Sequence, residues 1–313
     1  MDVLIDTDPG IDDAIALLLA LRSPELDVRG ISVVHGNVPV DVGTANVFKV
    51  LDLAGRSDLP VARGAAAPLM RPATHAEIVH GSDGLAELIP PPEEFALHED
   101  YGPGFLIHTL EQSDTLMTLI TLGPLTNVAI SLLSAPAIAE RIERLVIMGG
   151  AVRVEGNVTP SAEFNIYADP EAAAIVLRSG VPVTLIGLDV TMRATVTGET
   201  GRELAQAEEP VERFVGQLIS HIAGVYQQYY GIDGMAMHDP LAVAVAVDPS
   251  LVRIQRLHVD VETGSGLGVG RTIADFWKIP EPRGEPNADV ALEVDAERFD
   301  ELLWTRLLGR YPP

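Results

Sequence analysis

Short runs of almost wholly apolar residues alternate along the chain with stretches whose apolar positions recur at helical spacing. Residues 3–5, 31–34, 116–121, 145–148 and 183–186 form the runs. Their near-continuous hydrophobicity predicts strands buried on both faces. Helical spacing follows at 12–22, 43–54, 125–133 and 170–179. Repeated strand-then-helix order predicts an α/β fold with a mainly parallel central sheet flanked by helices. The second half changes rhythm. It holds a long helical pattern at 212–230, a shorter and more apolar one at 240–247, strand- and turn-rich sequence at 251–294 with a glycine-rich stretch at 264–270, and a closing helix at 296–308. There is no repeat, low-complexity linker or sharp compositional break, so one domain over residues 1–313 with a C-terminal elaboration is expected. Two long stretches, roughly 63–104 and 150–168, lack a periodic pattern, which in a compact domain points to function or disorder. The first carries His75, His80 and Pro90-Pro91-Pro92 and is expected to be a mobile flap.

In open parallel sheets, ligands bind beyond the carboxyl ends of the strands. The apolar runs are followed in turn by Asp6-Thr7-Asp8, His35-Gly36-Asn37, Leu122-Gly123-Pro124, Gly149-Gly150 and Gly187-Leu188-Asp189, so acidic, amide and glycine residues would share one rim. The run from Asp6 to Asp13 holds four aspartates. Such carboxylates repel one another unless a cation holds them. Pro9-Gly10 imposes a turn that lets Asp8, Asp12 and Asp13 converge. Helix initiation accounts for Asp12 and Asp13 but not for Asp6 and Asp8. All-oxygen donors favour a hard cation, calcium or magnesium. An EF-hand beginning at Asp6 would need glutamate where Leu17 stands, and no H-E-x-x-H zinc helix occurs. Farther on, Asp239 of His238-Asp239-Pro240 suits a helix cap and a metal ligand equally, whereas Asp169-Pro170 reads as a cap and Asp248-Pro249 as a turn. The loop Glu155-Gly156-Asn157 to Glu163-Phe164-Asn165 offers groups suited to sugar hydroxyls, although ordinary loop polarity accounts for them as well.

Composition narrows the function classes. With 47% hydrophobic residues and a mean hydropathy of +0.22, the chain can bury a large core and its body is not disordered. A formal charge of −24 repels nucleic acid and anionic lipid, so neither is an expected partner. The absence of cysteine excludes disulfides, thiolate nucleophiles and cysteine-ligated metals. No basic start leads into an apolar leader, and no apolar run reaches the roughly 18 residues of a membrane span. The cytoplasm is the expected compartment.

The run Asp6-Thr7-Asp8-Pro9-Gly10-Ile11-Asp12-Asp13-Ala14 resembles the signature of the inosine–uridine-preferring nucleoside hydrolases. The resemblance continues in family order through His35-Gly36-Asn37, Gly123-Pro124-Leu125-Thr126-Asn127, Met148-Gly149-Gly150, Gly156-Asn157-Val158-Thr159-Pro160 with Glu163-Phe164-Asn165, and His238-Asp239-Pro240. It implies a nucleoside hydrolase fold, hydrolysis of ribonucleosides of the inosine, uridine or cytidine type to base and ribose, a role in nucleoside salvage, and a homodimer or homotetramer. It also implies one calcium ion held by Asp8, Asp13 and Asp239 and by the backbone carbonyl of Leu122. Asp12 and Asn37 would hold one side of the ribose, and Asn157, Glu163 and Asn165 the other. Asp8 would serve as general base. His238 would protonate the leaving base, which places the chain with the histidine-bearing, pyrimidine or broad-specificity members. His80 on the flap, with Tyr226, Gln227 and Tyr230 on the long helix, would shape the base pocket.

Two other readings compete with this one. Asp6-x-Asp8 after a first strand also resembles the haloacid-dehalogenase-type phosphatases, with Asp6 as nucleophile, but that class predicts neither the Pro9–Asp13 turn nor the Asn157–Asn165 loop. A nucleoside-binding protein without chemistry would need a missing part, and none is evident.

Overall fold

The computed structural model describes residues 1–90, 95–277 and 284–311, without the side chains of Glu77, Ile78 and Tyr230. Pro91 and Pro92 of the expected flap therefore lie outside the described residues. The strands are β1 (Asp2–Thr7), β2 (Asp27–Val33), β3 (Val61–Arg63), β4 (Met117–Thr121), β5 (Ile142–Met148), β6 (Val183–Ile186), β7 (Thr195–Thr197), β8 (Gly234–Ala236), β9 (Val252–Leu257), β10 (Val259–Val261), β11 (Thr272–Ala274) and β12 (Ala288–Val294). The helices are α1 (Ile11–Leu21), α2 (Val40–Ala54), α3 (Glu77–His80), α4 (Gly102–Gln112), α5 (Thr126–Ser134), α6 (Phe164–Ala168), α7 (Pro170–Leu177), α8 (Leu188–Thr191), α9 (Gly198–Leu204), α10 (Pro210–Tyr230), α11 (His238–Val247) and α12 (Ala296–Leu308).

Eight strands form one sheet in the order β3-β2-β1-β4-β5-β6-β12-β9. Neighbours run parallel except the edge strand β9, which is antiparallel to β12. The alternation of side chains along a strand supplies both cores: Val3 and Ile5 pack with α1, α2, α10, α11 and α12, while Leu4 between them packs with α4, α5 and α7. The mainly parallel sheet with helices on both faces is thus the architecture the sequence leads one to expect.

The sequence reading passes over several short elements. Three-residue β3 pairs with β2 inside a polar neighbourhood, and α4 begins Gly-Pro-Gly, which reads as a loop. Packing of Phe105, Leu106 and Leu110 against the sheet makes α4 a helix. It occupies the end of the 63–104 stretch and beyond, so that stretch is shorter than expected. Likewise α6 sits inside the 150–168 loop, and the β7–β8 pair brackets α9 and α10.

β1 lies at the reversal of strand order, because the chain proceeds from β1 to β2 and β3 on one side and then crosses to β4, β5 and β6 on the other. A crevice opens at such a reversal, beyond the carboxyl ends of β1 and β4. Two helices that are buried almost all round point into it. Ile11 and Ala14 through Ala20 of α1 are fully buried, as are Leu241 through Ala246 of α11 or nearly so, and the two helices pack together. A helix apolar on every side belongs in the interior, and its position there is set by packing. Leu18→Ala, at the centre of α1, is expected to cost about 3 kcal/mol of stability in denaturant unfolding. A loss well under about 1 kcal/mol would show that α1 is not wedged in place as described.

Candidate active site

Asp8 follows β1 and is fully buried. Its carboxylate lies between two glycines: a Cβ on Gly36, after β2, would fall 1.9 Å from Oδ2, and one on Gly123, after β4, would fall 2.4 Å from Oδ1. Only glycine at both strand ends admits the side chain. Oδ2 accepts the Asn37 N–H at 2.7 Å, whereas Oδ1 is buried with no hydrogen-bond partner.

Asp13 stands in the first turn of α1. It accepts bonds from the Thr7 hydroxyl, from the Gly10 N–H at 2.9 Å and from Asn37 Nδ2 at 3.0 Å. Ligand atoms of Asp12, Asp13 and Asp239 lie within 4.8 Å of one another. Asp239 comes from the first turn of α11 and caps nothing: the residue before the helix is Met237, with no side-chain cap. Its two sequence readings thus separate, and geometry favours the ligand. Asp169, by contrast, caps α7 through the Ala172 N–H at 3.0 Å.

Burial and mutual repulsion push these carboxylates up. Asp8 and Asp239 are raised well above the usual range, first by desolvation and then by their charged neighbours. Desolvation, reinforced by Asp13, raises Asp12 to about 7, and Asp13 itself is raised by burial. The converging amino ends of α1 and α11 favour negative charge but cannot balance so many groups. A hard cation fits the arrangement: the donors are all oxygen, and the buried Asp8 Oδ1 lacks any hydrogen-bond partner. Leu122 lines the same crevice, and its carbonyl accepts Asn165 Nδ2 at 2.6 Å, which leaves a second lone pair.

Above this floor opens a cavity of about 930 Å³. Of the residues singled out from sequence, Asp12, Asn37, His80, Leu122, Asn157, Glu163, Asn165, Tyr226, His238 and Asp239 line it. Asp8 and Asp13 lie beneath, both fully buried. Gln227 does not line it: one residue past Tyr226 on α10, its side chain is turned to solvent. Tyr230's side chain lies outside the described residues. The apolar wall of Val79, Met192, Ile222, Ile232 and Met235 went unnoticed in the sequence, because scattered apolar residues there look like any other core position.

Several polar groups are committed to structure as well as to the cavity. Both Glu163 oxygens accept backbone N–H groups, from Asn165 and from Gly150 and Ile166, at the start of α6. Asn157 Oδ1 accepts the Phe164 N–H at 2.9 Å, closing the loop. His238 Nδ1 lies 2.8 Å from the Thr191 hydroxyl, and burial holds its pKa down at about 4 rather than near neutrality as expected from the free imidazole. His80 is buried, with Nδ1 accepting the Ile11 N–H at 3.0 Å. Burial and the nearby His221 and His238 hold it down at about 3.

Asp6 is fully buried beneath the rim. Ser32 Oγ and Asn127 Nδ2 donate to its Oδ1, Asn127 Nδ2 also reaches the Val33 carbonyl, and Asn127 Oδ1 accepts the Ala65 N–H. It ties three strand ends together. A side chain so enclosed cannot attack a substrate, which removes the phosphatase reading.

Comparison with known proteins agrees over nearly the whole chain. The family model for inosine-uridine preferring nucleoside hydrolase matches residues 3–301. The pyrimidine-specific ribonucleoside hydrolase RihA of Citrobacter koseri is 41% identical over 308 residues, covering 98% of each chain. A plant nucleoside hydrolase superposes with a TM-score of 0.92 at 35% identity, over 99% of both chains. The purine-preferring ribonucleoside hydrolase of Gardnerella vaginalis gives the same TM-score at 32% identity, over 99% of this chain and 98% of the other.

Mutual repulsion at the floor has a measurable consequence. Asp239→Asn should raise the melting temperature of chelator-treated protein by about 2 °C or more, the scale of a 1 kcal/mol gain. It should also remove most of the stabilisation that added divalent cation gives the unaltered chain. A lower melting temperature for the metal-free variant would contradict the repulsion.

Proposed function

The chain belongs to the inosine-uridine preferring nucleoside hydrolase family, and on that premise we propose that it uses calcium to hydrolyse the N-glycosidic bond of ribonucleosides, pyrimidine nucleosides foremost, to free base and ribose. The observation that carries the reading is the partnerless buried Oδ1 of Asp8 beside Asp12, Asp13 and Asp239, at the floor of a cavity roomy enough for a nucleoside. The 41% identity to a pyrimidine-specific relative, against 32% to a purine-preferring one, supports the choice of base.

Asp8, Asp13 and Asp239, with the Leu122 carbonyl, are the proposed ligands. Several carboxylates and a backbone carbonyl suit calcium better than magnesium, which keeps most of its waters. When bound, the ion would supply Lewis acidity that lowers the pKa of a water at the sugar. Asp8 takes the proton of that water; its spare oxygen is the unengaged acceptor at the floor. Asp12, which is half-buried and opens to the cavity, holds the ribose together with Asn37, Asn157, Glu163 and Asn165. Their carboxylates and carbonyl oxygens favour the positive charge that develops on an oxocarbenium-like ring. His238 is the proposed donor to the departing base. Burial disfavours its charged form in the free enzyme, so it takes up a proton from solvent as negative charge gathers on the base, and passes that proton to the base nitrogen.

Ribose release from a panel of uridine, cytidine and inosine, with and without a strong chelator, tests the proposal directly. Uridine should be turned over, chelation should abolish turnover, and calcium should restore it better than magnesium. Undiminished activity after chelation would refute the metal role. Asp8→Ala should lower kcat by at least about 10²-fold; near-normal kcat would remove it as the base. His238→Ala should lower uridine hydrolysis by about 10²-fold while sparing a p-nitrophenyl riboside, whose leaving group needs no proton. Equal losses on both substrates would argue against proton donation.

A further inference from the structure

His80 presents a fixed face to the cavity. A backbone N–H is an obligate donor, so the bond from Ile11 requires Nδ1 to carry a lone pair. The neutral ring then holds its hydrogen on Nε2, the nitrogen left for the cavity that His80 lines. The short helix α3 cannot hold this orientation alone. The chain beyond it turns through Gly81 and Gly84 and then through Ala86 and Glu87, which have φ of 54° and 58° and are the only non-glycine residues of positive φ among those described. Two successive side-chain-bearing residues in the left-handed region do not persist unless the surroundings impose it.

Asp83 imposes it. Its Oδ1 accepts the N–H groups of Leu85 at 2.9 Å and Glu87 at 2.8 Å, and its carbonyl accepts Asn46 Nδ2 at 2.6 Å. The same Asn46 nitrogen donates to the Pro9 carbonyl at 3.0 Å, so one amide joins the turn to the loop that carries Asp8. Asp83 Oδ2 meets Lys49 Nζ at 2.9 Å, with the lysine side chain only 6% exposed on α2. Lysine is rarely so buried. Its partner Asp83 is 24% exposed, and an ion pair partly open to water adds little net stability. The location of the pair says more: it pins the 81–87 turn to a helix packed on the sheet.

We propose that Lys49 and Asp83 are positioning residues that hold His80 with Nε2–H directed at a hydrogen-bond acceptor of the departing base, leaving proton transfer to His238. The proposal rests on the nucleoside hydrolase reading above. Lys49→Met keeps the apolar stem and removes the ammonium. Should it fail to fold, the double variant Lys49→Met/Asp83→Asn removes both charges together. Two readouts decide. In steady-state kinetics, kcat/KM for uridine should fall about 10- to 100-fold, while that for p-nitrophenyl riboside stays within about threefold. Nitrogen-15 NMR should show His80 as a single Nε2–H tautomer in the unaltered protein and as a mixture in the variant. An unchanged tautomer, unchanged uridine kinetics, or equal losses on the two substrates would overturn the proposal. If the unaltered protein hydrolyses neither substrate, the functional reading fails, and the tautomer measurement still decides the anchoring.

Discussion

Negative charge taken out of water governs this structure. Asp8, Asp13 and Asp239 are buried and Asp12 half-buried around one point, and Asp6 lies beneath the same rim. Desolvating even one carboxylate is costly, and neighbours of like sign add to that cost. The fold answers with oriented donors: the N–H groups of Gly10 and Asn37, the Thr7 hydroxyl, the Asn37 amide and the amino ends of two helices. The donors leave Asp8 Oδ1 unmatched. A cation bound here would relieve that repulsion, and the protein's stability would then depend on the same ion as the proposed chemistry.

Everything nearby serves to place that charge. Strand-order reversal opens the crevice at β1 and β4. Glycines at the ends of β2 and β4 give Asp8 room from either side. The wholly apolar bodies of α1 and α11 have no polar face to satisfy, so they sit in the core and point their polar first turns at the crevice. Asp6, deeper still, acts on the site at one remove by joining the strand ends through Ser32 and Asn127.

Above the floor the logic changes. Part of the lining is built from loop ends in which Glu163, Asn157 and Asn165 both brace the backbone and line the cavity. Another part is mostly apolar, with histidines as its polar accents. His80 closes the one-turn helix α3, and the chain beyond it has no regular structure, so its placement depends on side-chain anchors as well as on that short helix. On the proposed function, such a division would fix the sugar and the ion while leaving the choice of base to a few contacts.

The sequence by itself determined the parts whose signals are local. Continuous apolar runs made the buried strands legible, and the aspartates around Pro9-Gly10 pointed to the acidic cluster, because repulsion at close spacing is visible without coordinates. Residue order carried the family resemblance across the whole chain. Only the tertiary structure decided the rest. Asp239 proves not to be a cap, and it joins Asp12 and Asp13 because α11 meets α1 in space. Gln227 falls away because one step along α10 rotates it to solvent. His238 is held down at about 4 by burial, and burial is a property of the packed chain. Asp6, a nucleophile only in the phosphatase reading, is a strut because Asn127, far along the chain, closes over it. Local chemistry is written in neighbouring residues; desolvation, facing and convergence arise when distant segments pack, and no short stretch of sequence contains them.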